Sequence, residues 1–376
     1  MFKRRFSDNN TASSVRGRSG HIFVKKWGGI ALAGLLVGLT AITLAVYGNP
    51  ANMALCVACF IRDTAGAIGL HRAETAQYIR PEIPGIILGA FIMGLLRKEY
   101  APKGGSSPFT RFILAVCVMV GALIFLGCPT RMVLRMAGGD LNAAIGCVGF
   151  VGGILTGIVF LNKGFTLKRS YDQPAAEAAA APLIGILLLI LLIAAPAFIF
   201  FSEKGPGSMH APLLVSLTGG LVVGAAAQRS RLCFVGGIRD AVLFKDFHML
   251  IGFGVILVTV LIGNAATGNF KPGLEGQPIA HTEWIWNILG LYLVGFGSVL
   301  LGGCPLRQVV LAGSGNSDAG ITVLGFFAGA AICHNFGLAS SNAGTTQNGR
   351  IAFAVCAAVT FLIAIANTMK ASLAPA

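Results

Sequence analysis

Apolar runs of about 20 residues recur along this 376-residue chain, and a helix of about that length crosses the hydrocarbon core of a bilayer. Only 11% of the residues are charged, against about 25% in a typical soluble domain. So few charges could not cover a water-facing surface, whereas a lipid-facing surface needs none. The sequence therefore predicts an all-α polytopic membrane protein. Ten spans can be marked, of which 83–96 is the shortest: 28–47, 83–96, 109–127, 143–161, 182–201, 211–227, 248–266, 284–303, 320–338 and 351–369.

The formal net charge of +14 would first indicate a nucleic-acid partner. Here, however, the Lys and Arg residues lie mostly at the N-terminus and in short loops, where they set the topology of a membrane protein. We therefore predict no nucleic-acid partner. Residues 1–27 are read as a basic, flexible tail, because no short apolar run with a small-residue cleavage site precedes the first span. The charge bias places both termini in the cytoplasm, in a multi-pass protein of the bacterial inner membrane.

Two blocks of sequence recur at nearly one spacing. Leu55–Asp63 is repeated at Leu232–Asp240, an offset of 177, and Gly121–Arg131 is repeated at Gly297–Arg307, an offset of 176. A third, shorter block also recurs at an offset of 176. Blocks that share a register indicate an internal duplication rather than chance similarity.

Each copy holds five spans, so the second copy is inverted relative to the first. We predict two inverted five-helix repeats, a first half at 28–201 and a second half at 202–376, related by a pseudo-two-fold axis in the membrane plane. In transporters built this way, the solute site lies at the repeat interface near the bilayer midplane. The alternative is that the duplication built a fold and nothing more.

The motif Gly-Cys-Pro-x-Arg closes an apolar span in each half. Proline is favoured at the first position of a helix, so the motif predicts a short re-entrant helix beginning at the proline. The cysteine then takes the N-cap position, and the arginine falls in the first turn, where a helix N-terminus attracts anions. Cysteine is an unusual cap, which indicates that its sulfur matters. The residues are Cys128, Pro129 and Arg131 in the first copy and Cys304, Pro305 and Arg307 in the second.

The motif Leu-Cys-x4-Ile-Arg-Asp also occurs once in each half. Ionisable groups at membrane depth must pair or face water, so the Arg-Asp pair either locks a re-entrant helix or marks a pathway. With inverted halves, Cys56 and Cys128 of the first copy belong to the outer half, and Cys233 and Cys304 of the second copy belong to the inner half. The four thiols would then form a line through the centre. The residues of this motif are Cys56, Arg62 and Asp63 in the first copy and Cys233, Arg239 and Asp240 in the second.

Thiols suit a soft solute. A neutral S–H group is a weak donor with a polarizable sulfur, so a line of thiols would pass a sulfur-bearing anion between weak contacts and favour sulfate little. Cys56 and Cys59 also form Cys-x-x-Cys, which we interpret as incidental because Gly236 stands at the second position in the other copy. One such pair cannot make a tetrahedral metal site alone. We predict no metal and no cofactor.

The repeats, the Cys-x4-Ile-Arg-Asp blocks and the Gly-Cys-Pro blocks resemble the YeeE/YedE family of membrane proteins over roughly residues 30–370. The Gly-Cys-Pro-x-Arg form is similar to the branch described as selenium transporters. The neighbouring branch takes up thiosulfate through central cysteines. The resemblance implies an hourglass-like inverted-repeat fold and a cytoplasmic sulfur-carrier protein as a possible partner. It matches Cys56, Cys128, Cys233 and Cys304 to the pathway cysteines.

These observations predict a transporter, not an enzyme, that takes up a small selenium- or sulfur-containing solute such as a selenium compound or thiosulfate. Arg131 and Arg307 would attract the anion or brace the short helices. Two alternatives remain open. One is a membrane thiol enzyme that transfers sulfur or selenium through a persulfide, and the other is a non-selective anion channel that uses the helix ends alone.

Overall fold

The computed structural model describes residues 12–372, with side chains from 27 to 368, and it is built almost entirely of helices. Two short strands, β1 (Lys103–Gly104) and β2 (Tyr171–Asp172), pair antiparallel. The helices are α1 Ala12–Val46, α2 Val57–Ala67, α3 Glu82–Leu96, α4 Pro108–Phe125, α5 Pro129–Ala137, α6 Leu141–Asn162, α7 Ala175–Ala194, α8 Leu213–Ser230, α9 Phe234–Phe244, α10 His248–Ala266, α11 Trp284–Leu301, α12 Pro305–Gly313, α13 Ser317–Asn335 and α14 Gln347–Ser372.

Every predicted span contains one long helix. Within the described residues, nine helical segments are long and apolar enough to cross a membrane, and α3, at 15 residues, is the tenth and shortest. Three of the nine segments combine a long helix with the short helix that follows it, namely α4 with α5, α8 with α9, and α11 with α12. The chain is therefore an all-α, multi-pass membrane protein, as the apolar runs predict.

The largest differences from the predicted boundaries are at α7 and α1. Helix α7 ends at Ala194 rather than at 201, because Ala195 is left-handed (φ 41°) and Pro196 cannot continue the hydrogen-bond ladder. Helix α1 is described from Ala12 onward, inside the predicted tail, and no proline interrupts the chain between Ala12 and the first span. Residues 1–11 of the predicted tail lie outside the described residues.

The long helices of the two halves contact one another in reciprocal pairs. Helix α6 packs on α11 while α4 packs on α13, and α3 packs on α8 while α1 packs on α10. Helices α4 and α11 also pack directly together, and there a Cβ on Gly121 would lie 2.7 Å from the carbonyl oxygen of Gly290. Glycines at such a crossing let two helices approach closely in a membrane.

Four short helices, α2, α5, α9 and α12, lie among the long ones. Every residue of α2 is buried, and so are nearly all residues of α5. Helix α2 contacts α13 of the second half, and α9 contacts α6 of the first. Long helices of each half therefore surround short helices of the other half, and the four motif cysteines lie in this interior.

Candidate functional site

Each of the four short helices begins directly after a cysteine. Cys128 and Cys304 are the N-caps of α5 and α12, with Pro129 and Pro305 in the first helical position, which confirms the predicted helix starts. The other two motif cysteines are also N-caps, which the sequence did not predict. Cys56 caps α2 and accepts from the N–H of Cys59 (3.4 Å), and Cys233 caps α9 and accepts from the N–H of Gly236 (3.3 Å).

The thiols come together in one group per half. The Sγ atoms of Cys56 and Cys128 are 3.8 Å apart, and those of Cys233 and Cys304 are also 3.8 Å apart. In the first half, the Sγ of Cys59 lies 2.9 Å from that of Cys56, a contact that the interpretation of Cys59 as incidental did not anticipate. We call Cys56, Cys59 and Cys128 the first thiol cluster, and Cys233 and Cys304 the second thiol pair. All five side chains are buried.

Arg131, in the first turn of α5, is fully buried beside the first thiol cluster. Its guanidinium donates to the carbonyl oxygens of Asn52 (3.1 Å), Ile279 (2.9 Å) and Leu126, and also to the Sγ of Cys59 (3.5 Å). No carboxylate pairs with it among the described residues. Arg131 therefore braces the junction between α4 and α5 and leaves a positive charge next to the thiols.

Arg307 occupies the same place in α12 but is held differently. It is partly exposed, and its Nη1 makes only two long contacts, with the carbonyl of Ala227 and the Oε1 of Gln228, both at 3.5 Å. The neighbouring Gln308 instead donates to the carbonyl of Leu301 (3.0 Å) at the end of α11. Arg307 is therefore less restrained than Arg131.

The glycine that precedes each capping cysteine makes room for the arginine of its motif. A Cβ on Gly127 would lie 2.6 Å from the Cδ of Arg131, and a Cβ on Gly303 would lie 3.0 Å from the Cγ of Arg307. Any larger residue would push the arginine stem away from the turn. This close approach explains why a glycine precedes the arginine at this spacing in both motifs.

The Arg-Asp pairs of the two halves also differ. Asp63 is fully buried and binds two arginines, Arg62 (2.6 Å) and Arg80 (2.8 Å). Arg239 and Asp240 form a single pair at 2.8 Å, with side chains 29% and 18% exposed. Arg80 lies outside both repeated blocks, so no repeat signal in the sequence could have identified it.

A cavity lies beside each group of thiols. The first cavity, of about 560 Å³, is lined in part by Arg62, Leu126, Ile279, His334 and Ser340. It is adjacent to the first thiol cluster, since Arg62 belongs to α2 and the carbonyl of Leu126 binds Arg131. The Nε2 of His334 and the Oγ of Ser340 have no hydrogen-bond partner among the described residues. Both atoms are themselves buried, so the charged group among the lining residues of this cavity is the guanidinium of Arg62.

The second cavity, of about 220 Å³, is adjacent to the second thiol pair. Its lining includes Arg307, Arg231, Lys103 and one acidic residue, Glu99. The excess of basic side chains makes this cavity attractive to an anion. No group of three His, Cys, Asp or Glu side chains in the described part of the chain is arranged to hold a metal ion.

Residues 229–373 match a family model described as sulphur transport. Over these residues the chain is similar to the YeeE/YedE family of membrane proteins. Two relatives carry the name thiosulfate transporter TsuA. The Escherichia coli (strain K12) protein is 30% identical over 107 residues, 28% of this chain and 30% of the relative. The Spirochaeta thermophila protein is 31% identical over 113 residues, 30% of this chain and 33% of the relative. The chain thus spans about a third of the length of these curated relatives.

The matched region of the chain contains the second thiol pair and Arg307. The first thiol cluster and Arg131 precede it in the chain. They are related to the family pattern through the internal repeat, which places Cys56 opposite Cys233 and Cys128 opposite Cys304 in register. The resemblance to the selenium branch stays a prediction.

Proposed function

We propose that this protein takes up a small sulfur- or selenium-containing anion, passing it between the thiols of Cys56 and Cys128 and the second thiol pair. The observation that carries the proposal is the pair of thiols at 3.8 Å in each half, set on the N-termini of buried short helices. The name of the two TsuA relatives, thiosulfate transporter, supports sulfur as the element. Cys56, Cys128, Cys233 and Cys304 would form the pathway.

The arrangement that we propose is an hourglass of two inverted repeats. The first thiol cluster would belong to the outer half and the second thiol pair to the inner half. The reciprocal helix contacts support this, because a two-fold exchange of the halves turns the contact of α6 with α11 into that of α13 with α4. Both termini would then lie in the cytoplasm, and the second cavity would open toward a soluble sulfur-carrier protein.

The chemistry of passage rests on many weak contacts. Each pathway sulfur lies where a helix N-terminus presents free N–H groups, which favour an anion. The thiols offer weak S–H donors and polarizable surfaces to a terminal sulfur or selenium atom, so the solute is bound without being trapped. The charge of Arg131 beside the first thiol cluster offsets part of the cost of removing the anion from water. Because the thiols are buried, passage requires a small opening between each cavity and its sulfur atoms.

Uptake of radiolabelled thiosulfate into proteoliposomes tests the proposal. Each of the four pathway cysteines is replaced by serine in turn, which keeps the side-chain size close but removes the soft sulfur. We expect each change to lower the initial rate by about tenfold or more. Cys147→Ser is the matched control, since Cys147 lies on α6 outside both groups of thiols and should retain the parent rate.

The choice of solute decides between the alternatives. Selenite and a selenide-generating mixture are compared with thiosulfate to identify the element, and sulfate serves as the hard anion. Equal uptake of sulfate, with Cys304→Ser leaving the flux intact, would indicate a non-selective anion channel. A stoichiometric covalent adduct on Cys128 or Cys304, found by mass spectrometry without net uptake, would indicate a persulfide enzyme.

A further inference from the structure

The two groups of thiols differ by one residue. Cys59 stands in the first half where the repeat register places Gly236 in the second. The second thiol pair has no third sulfur, so a thiol at this position is not a requirement of the proposed pathway. The extra sulfur of the first thiol cluster therefore needs an explanation of its own.

The geometry of Cys56 and Cys59 is that of a dithiol ready to close. Their Sγ atoms are 2.9 Å apart, about 0.9 Å more than the S–S bond of a disulfide, whereas the other thiol contacts are 3.8 Å and join different helices. Cys56 is the N-cap of α2, and its Sγ accepts from the N–H of Cys59. Arg131 donates to the Sγ of Cys59 at 3.5 Å. Negative charge that develops on either sulfur thus has a donor in place.

We propose that Cys56 and Cys59 form a thiol–disulfide exchange site for sulfur–sulfur-bonded anions of the polythionate class, and that closure to the disulfide stops uptake. The inference rests on the proposed function for the access of anions to the first thiol cluster. The first cavity carries a feature suited to such a ligand, because Arg62, a cationic side chain, lines it. Closure consumes the thiol of Cys56, which otherwise faces Cys128.

Two substitutions at sulfur make up the reaction. In the first, Cys56 sulfur attacks a central sulfur of tetrathionate, the central S–S bond breaks, one thiosulfate leaves and the proton of Cys56 goes to water. In the second, Cys59 sulfur attacks Cys56 sulfur, the bond to the remaining thiosulfate breaks, and the proton of Cys59 is released. Two thiols are oxidised by two electrons to one disulfide, and one tetrathionate is reduced to two thiosulfates. A dithiol reductant reverses the closure.

The test treats the purified full chain with tetrathionate, first in detergent and then in proteoliposomes. Peptide mapping should find a disulfide between Cys56 and Cys59. Thiosulfate uptake should fall by about tenfold or more and return with dithiothreitol. Cys59→Gly, which copies the residue of the second half, should retain uptake and resist tetrathionate. Cys59→Ser repeats the test with a side chain of nearly the original size, and size-exclusion chromatography establishes that both variants are folded.

A transplanted dithiol provides the reciprocal test. Gly236→Cys, made in the Cys59→Gly background, places a thiol three residues after Cys233. Its Cβ would lie 3.2 Å from the Sδ of Met249, a flexible side chain that can shift. We expect tetrathionate sensitivity to return, with the disulfide now between positions 233 and 236.

The inference is overturned if tetrathionate leaves Cys56 and Cys59 unlinked in the parent protein, or if it inhibits Cys59→Gly as strongly as the parent. Failure of the proposed function looks different. The untreated parent protein would then show no uptake, while the mapping experiment in detergent would still report whether the dithiol closes.

Discussion

The two halves share the cysteine and proline positions of the two repeated motifs but surround them with different charges. Around the first thiol cluster, Arg131 is fully buried and bound to three carbonyls, and Asp63 is fully buried between two arginines. Around the second thiol pair, Arg307 makes two contacts at 3.5 Å, and the Arg239–Asp240 pair is partly exposed. The thiol spacing of 3.8 Å is nevertheless the same in both.

The comparison shows that both halves share the residues that cap and start the short helices, whereas the contacts of their arginines differ. A capping cysteine, a helix that starts at proline and a neighbouring thiol occur in both halves, so these features define the shared site. The arginines of the first half brace buried turns, whereas Arg307 lines an open cavity with Arg231 and Lys103. Under the proposed function, Arg131 would therefore act mainly as a structural brace, whereas Arg307 would mainly attract the solute.

The largest expected contrast is between Asp63→Asn and Asp240→Asn. Removing the carboxylate at 63 leaves Arg62 and Arg80 buried without a counter-charge, which should lower the free energy of unfolding by about 3–5 kcal/mol. At 240 the pair is partly exposed, so the loss should stay below about 1 kcal/mol. Unfolding titrations in mixed micelles measure both. Equal losses at the two positions would show that the first half is no more dependent on its buried charges than the second.

The boundaries and the caps show what local signals can predict. Apolar runs fixed the ten spans, and a proline after Gly-Cys fixed the starts of α5 and α12, because both signals act within a few residues. The caps at Cys56 and Cys233 were missed, since no proline follows them. Once Cys56 is placed at an N-cap, Cys59 falls in the same helical turn, and this register could have identified the dithiol.

The charges show what local signals cannot predict. Arg131 binds the carbonyl of Ile279, which belongs to a loop of the other half, and Asp63 binds Arg80 beyond its own helix. Neither partner is repeated, and neither lies at a fixed spacing from its motif. Such contacts depend on how the loops fold over the short helices, so the sequence left open whether each arginine braces or attracts.

Arg131→Met and Arg307→Met separate these two roles. The first variant keeps a long apolar stem but leaves the buried carbonyls of Leu126 and Asn52 without their donor, and it should cost about 3 kcal/mol of stability. Arg307→Met should cost less than about 1 kcal/mol, because its contacts are long and partly exposed.

The effects on uptake should have the reverse order. Measured per folded, reconstituted protein molecule, the uptake rate should fall more in Arg307→Met than in Arg131→Met. Loss of the charge of Arg307 should lower the initial rate about tenfold at low salt and less at high salt, since salt screens an attraction through water. Arg307→Lys is the control and should retain most of the rate. A rate for Arg307→Met that equals the parent rate at every salt concentration would rule out the attraction.

The smallest contrast concerns the glycine before each cap. Gly127→Ala adds a methyl group that would lie 2.6 Å from the Cδ of Arg131, whose guanidinium is fixed by buried carbonyls and cannot move aside. We expect a loss of about 1–2 kcal/mol, as for other overpacked sites. Gly303→Ala meets the Cγ of Arg307 at 3.0 Å, and that looser side chain can rotate away, so the loss should be within about 0.5 kcal/mol. Combining Gly127→Ala with Arg131→Met should cost less than the sum of the two single changes, because the methionine side chain is not held by hydrogen bonds to carbonyls and can move away from the alanine. Additive losses would mean that Arg131 is not what the glycine accommodates.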